Sequence, residues 1–196
     1  ENILMLDSKG VVHKSRNNLS EEKLEFAQDT PLRTAEEALA GADLFLGVSG
    51  PGLLTAQMVS KMAKTPIIFA LANPTPEIMP DEARRGAPDA LIATGRSDFP
   101  NQVNNVLCFP FIFRGALDVG ATEINDAMKL ACVEAIAELA RRTASAELGQ
   151  AYQGERLTFG PDYLIPKPFD PRLLPTIAHA VAKAAMESGV ATRPVD

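Results

Sequence analysis

Short apolar runs alternate along this chain with amphipathic stretches, and the alternation predicts most of its elements. Asn2 to Asp7 ("NILMLD") is a continuous apolar run closed by an acid, the pattern of a buried parallel strand. "SKGVVHKSR" leaves it as a loop. "NLSEEKLEFAQ" predicts a helix with Ser20 as N-cap, and "TAEEALAGA" a short one capped by Thr34 and stopped by Gly41. Asp43 to Ser49 ("DLFLGVS") predicts a second buried strand. "GPG" then breaks the chain, and "LTAQMVSKMA" predicts a helix from about Thr55. Pro66 to Asn73 ("PIIFALAN") is a third strand, "DEARRGA" a short helix, and Ala90 to Gly95 ("ALIATG") a fourth strand.

Strands alternating with helices in this way mean βαβ units and a parallel sheet. The fold class expected is α/β, a doubly wound parallel sheet. In such sheets ligands bind beyond the carboxyl ends of the strands. Those ends are Asp7, Ser49 with the following Gly50, Asn73 with Pro74, and Gly95 with Arg96. Each is polar or glycine. Taken one at a time, such residues are ordinary turn residues; four in sequence point to a site.

The last third has a different pattern. "TEINDAMKLACVEAIAELARRTA" predicts a long amphipathic helix opened by Thr122, with acids near its positive end. "YQGERLTFGPDYLIPKPFDPRLL" is a proline-rich connector, and "LLPTIAHAVAKAAMESGV" a final helix.

Composition narrows the function classes. A chain of 196 residues, 46% hydrophobic and 22% charged, suits a globular domain of ordinary size. The net charge of -6 disfavours a nucleic-acid partner. No membrane-length apolar run occurs. Two cysteines, Cys108 and Cys132, both in apolar stretches, fit buried thiols and a cytoplasmic location. His13 and His179 stand alone, so no metal ligand is assigned. The first residues read as a strand with no lead-in, which suggests a segment of a longer chain.

Two features carry candidate chemistry. A dinucleotide site has a glycine-rich turn after one strand and an acid at the end of the next, on the ribose hydroxyl. Asp7 sits where that acid would be. The second feature is the run Asn101, Gln102, Asn104, Asn105 at the edge of an apolar stretch. Amides donate and accept hydrogen bonds without charge. They suit a polar ligand neutralised by something else. The plainer reading is that Asn104 and Asn105 cap a following helix and that Asn73 begins a turn. Phe109, Phe111, Ile112 and Phe113 read as core.

"LDSKGVV", "ADLFLGVSGPGLLT", "IIFALANPTPEIMP", "ATGRSDFPNQVNNVLCFPFIFRGALDV", "FGPDYLIPKPFDPRLL" and "AMESGVATRP" together resemble the malic enzyme family. The closest resemblance is to the bacterial enzymes fused to a phosphotransacetylase-like domain. It implies a Rossmann-like NAD(P)-binding domain spanning 1–196, truncated at its N-terminus, with 1–120 as sheet and nucleotide-binding core and 121–196 as C-terminal helices and connector. It further implies part of an enzyme that converts (S)-malate to pyruvate and carbon dioxide with a Mg or Mn ion. The rival expectations are another NAD(P)-dependent dehydrogenase or a non-catalytic, ligand-binding regulatory domain.

The resemblance also implies residue roles. Asn73, Asn104 and Asn105 would contact malate, and Asn73 and Asn105 the nicotinamide side as well. Ser49 and Gly50 would line the nucleotide. The catalytic Tyr and Lys and the acidic metal ligands of the family lie upstream, so this chain alone is expected to be inactive. The expected partners are a missing N-terminal malic domain and a second copy in a homo-oligomer, dimer or larger. At the cofactor's ribose the cues conflict: Asp7 favours NAD, whereas Ser8 and Lys9, with Lys14 and Arg16 on the same loop, favour the 2′-phosphate of NADP. The expectation is NADP, with NAD the alternative.

Overall fold

The computed structural model describes residues 2–144, 146–152, 155 and 157–195. The chain packs as two compact units, Glu1–Ile92 and Ala93–Asp196, each with its own apolar cluster.

The first unit opens differently from expectation. Strand β1 is only Leu6–Asp7, and it pairs antiparallel with β2 (Gly10–Val11) across the Ser8–Lys9 turn. Ile3 is 60% exposed, so the apolar run is not a buried strand among the described residues. Gly10 makes the reversal possible. Its φ is +99°, and a Cβ there would lie 2.1 Å from the Arg33 carbonyl oxygen. Helices α1 (Glu21–Phe26) and α2 (Ala35–Leu39) follow. Thr34 caps α2 in a reciprocal pair with Glu37, a motif that contributes ~1 kcal/mol.

The parallel sheet has three strands in the order β3-β4-β5, namely Leu44–Gly47, Ile67–Ala70 and Leu91–Thr94, where four were expected. β3 and β4 are parallel, with Leu44 opposite Ile67 and Gly47 opposite Ala70. Two short helices, α3 (Ala56–Val59) and α4 (Pro80–Gly86), connect them. Val59, Ile68, Ala70, Ile78 and Ala83 form the centre of this unit's core. β3 is buried on one face only: Leu44 and Leu46 are exposed, whereas Gly47 is buried. The fold class is thus α/β with a parallel, Rossmann-like sheet.

The second unit is helical: α5 (Phe109–Asp118), α6 (Asp126–Arg141), α7 (Ala146–Ala151) and α8 (Leu173–Glu187). The helix expected to open at Thr122 begins later because Asn125 is its cap; the Asn125 side chain accepts from Met128 N at 3.1 Å. Thr122 is held elsewhere, with its N–H donated to the Val190 carbonyl at 3.0 Å. The aromatic run is not all core. Ile112 is buried, but Phe109 and Phe113 lie exposed on α5, ring centroids 5.1 Å apart. Part of the expected connector, Gln153, Gly154 and Arg156, lies outside the described residues.

Candidate functional site

Three groups of polar residues stand at positions the sequence marks. The first is the β1–β2 turn. Asp7 Oδ1 accepts from the Lys9 N–H at 2.9 Å and from Arg16 Nη1 at 3.0 Å. Asp7 Oδ2 accepts from Arg16 Nη2 at 2.9 Å and from Lys23 Nζ at 2.6 Å. Arg16 meets the carboxylate with both nitrogens, the strong bidentate geometry. The Arg16 guanidinium, then Lys23 and the Lys9 N–H, hold the Asp7 carboxyl well below the usual carboxylate range. Ser8 and Lys9 are exposed at the turn. One negative charge therefore stands among two bonded cations, with Lys9 exposed at the same turn. Lys23, on α1, was not marked by the sequence as a site residue: it lies 16 positions from Asp7, and only the fold makes them neighbours.

The second group lies at the carboxyl ends of β3 and β4. Ser49 and Asn73 are exposed, and Gly50 is partly so. A Cβ on Gly50 would meet nothing within 4 Å, so its backbone faces open space that a ligand can approach. The Asn73 amide makes no side-chain hydrogen bond among the described residues, and its bond to Pro74 is cis. Beneath these residues is Glu77, fully buried and missed by sequence reading. Its carboxylate accepts from Ser49 N at 2.8 Å and from Ala72 N at 3.1 Å, so it joins the two strand ends. The available signal was an acid inside the apolar stretch "PEIMP".

The third group, in the second unit, is the amide run, and the structure divides its labour. Asn101 is buried with φ +58°; its Nδ2 donates to the Pro161 carbonyl at 2.7 Å and its Oδ1 accepts from Leu164 N at 2.7 Å. It fastens the connector. Gln102 joins Thr94 in a backbone bridge. Asn104 caps the 3-10 turn Asn105–Leu107, accepting from Val106 N at 3.0 Å. Asn105 is exposed, and its side chain makes no hydrogen bond among the described residues. Arg96 and Asp98 are paired with each other through two bonds, at 2.8 and 2.6 Å. Among the described residues, no group of three His, Cys, Asp or Glu could hold a metal ion, and no helix is long and apolar enough to cross a membrane.

A Rossmann-like parallel sheet with polar, open strand ends is the frame of the dinucleotide-cofactor class of domain. Residues 1–152 match the family described as malic enzyme, NAD binding domain, and the chain belongs to that family. It is 63% identical over 196 residues to the NADP-dependent malic enzyme of Salmonella typhimurium, covering 99% of this chain and 26% of that protein. It is 59% identical to an NAD-dependent malic enzyme of Rhizobium meliloti, covering 100% of this chain and again 26% of the relative. The crystal structure of the Entamoeba histolytica malic enzyme superposes with a TM-score of 0.80 at 37% identity, over 97% of this chain and 38% of that one. The chain thus spans about a quarter of the length of these curated relatives.

Proposed function

We propose that this chain is the cofactor-binding part of a longer, cytoplasmic malic enzyme, which oxidises (S)-malate at C2 and releases pyruvate and carbon dioxide while reducing NADP⁺. The observation that carries this reading is a pair of uncommitted amides. Asn73 and Asn105 are exposed and make no side-chain hydrogen bond among the described residues, in a chain that belongs to the malic enzyme family.

In this reading the Ser49–Gly50 turn lines the nucleotide and the Asp7–Lys9 turn takes its adenosine ribose. Asn73 in the first unit and, taken separately, Asn105 and Asn104 in the second are each assigned polar contacts to malate, with Asn73 and Asn105 also assigned to the cofactor's carboxamide. Neutral amides fix the orientation of malate without adding charge, so binding stays moderate in the ground state. The nicotinamide, when bound, supplies the hydride acceptor. The residues described here offer no metal ligand set, and the Mg or Mn ion is assigned to residues outside this chain. The acid–base groups, an N-terminal malic domain and a homo-oligomeric partner belong to the same reading.

The lean to NADP rests on Asp7. A free acid would repel a 2′-phosphate, but this one is already bonded to Arg16 and Lys23. The full-length polypeptide should reduce NADP⁺ when malate and Mg or Mn are both present, with pyruvate as product. Absence of malate-dependent reduction there overturns the reading. The 196-residue chain alone should show none.

A further inference from the structure

Glu77 is 0% exposed and makes no ion pair among the described residues. An unpaired buried charge is costly unless donors satisfy it. Here the donors are specific. Oε1 accepts from the Ser49 N–H at 2.8 Å, with the Ser49 hydroxyl 3.4 Å away, and Oε2 accepts from the Ala72 N–H at 3.1 Å. The Glu77 carbonyl in turn accepts from Leu54 N at 3.1 Å. One side chain therefore spans the carboxyl ends of two adjacent parallel strands. Gly47, at the end of β3, leaves it room: a Cβ there would come 2.5 Å from Glu77 Cδ.

We infer that Glu77 is a positioning residue, a buried clamp that sets the spacing between the Ser49–Gly50 turn and Asn73 and so holds the substrate amide in register with the nucleotide. The inference rests on the malic enzyme reading above for the roles of Ser49 and Asn73. A carboxylate is needed because both oxygens accept. A glutamine has one acceptor oxygen, and its NH₂ would face the second N–H group.

The test uses the full-length polypeptide at saturating NADP⁺. Glu77→Gln should lower kcat/KM for malate roughly ten- to a hundredfold, the scale of a lost hydrogen bond to a charged group. The same change in an Asn73→Ala background should cost at most a few-fold, because the group being positioned is gone. Additive losses, or a lowered melting temperature with unchanged kinetics, would mean a structural role only and overturn the inference. Should Glu77→Gln not fold, hydrogen exchange of the unaltered protein decides. The Ser49 and Ala72 amides, resolved individually by NMR, should each be protected; exchange of both at open-loop rates overturns the clamp. If the unaltered protein does not oxidise malate, the functional reading has failed, and the exchange measurement still judges the clamp.

Discussion

Arg16 grips Asp7 with two parallel bonds, Nη1 to Oδ1 at 3.0 Å and Nη2 to Oδ2 at 2.9 Å, and Lys23 adds a third at 2.6 Å. In the proposed role at the cofactor's ribose, an acid would favour a 2′-hydroxyl over a 2′-phosphate. An acid already shared between two cations does so far less. The local balance is positive, with Lys9 exposed next to it.

Cofactor choice should follow. In the full-length polypeptide, Lys9→Ala should weaken NADP⁺ far more than NAD⁺. Lys23→Ala should do the same to a smaller degree, because it leaves Asp7 shared with Arg16 alone. Added salt should weaken NADP⁺ preferentially. Steady-state kinetics with both cofactors decide it; a higher kcat/KM for NAD⁺ in the unaltered enzyme ends the NADP assignment.

The same ion pairs make a pH prediction. The Asp7 carboxyl is held well below its ordinary value, first by Arg16 and then by Lys23. The stability it contributes is therefore complete above the unfolded-state value of about 3.9 and is lost as pH falls from there toward the folded-state value. Asp7→Asn removes that contribution at neutral pH. The gap in melting temperature between the two proteins should be widest near pH 7 and shrink below about pH 4. A gap independent of pH would show that the pairs do not stabilise the turn.

Asn104 and Asn105 are neighbours with different predicted fates. Asn105→Ala should lower kcat/KM by roughly ten- to a hundredfold with little change in melting temperature, since its side chain makes no hydrogen bond among the described residues. Asn104→Ala should also lose a cap, a further cost of ~1 kcal/mol in stability. Paired kinetics and thermal unfolding separate the two; equal melting losses for both variants would contradict the division.

Gly115 sets two opposed effects against each other. Alanine in a helix interior is favoured over glycine by up to ~1 kcal/mol. At Gly115 a Cβ would lie 2.4 Å from the Ala178 carbonyl oxygen and 2.8 Å from Val181 Cβ, where α5 meets α8. Overpacking costs ~1–3 kcal/mol and should win. Gly115→Ala should lower the unfolding midpoint, while Gly149→Ala, whose Cβ meets nothing within 4 Å, should not.

The sequence by itself determined the local elements. The spacing of apolar runs marked β3, β4 and β5, and Thr34 and Thr55 marked their helix starts, because caps and periodicity act within a few residues. It also marked Ser49, Asn73 and Asn105 as polar points at strand and loop ends. Tertiary structure decided what those residues do. The apolar run before Asp7 became a hairpin because Gly10 turns the chain back. Asp7 became a shared acid because α1 brings in Lys23. Phe109 and Phe113 became surface because α5 has one buried face and they lie on the other. Glu77 shows the reason most directly: its partners are 28 and 5 residues away, and no pattern in the chain signals that one carboxylate will reach both. Hydrophobic spacing is encoded locally, whereas the partner of a buried charge is settled only when the strands are laid side by side.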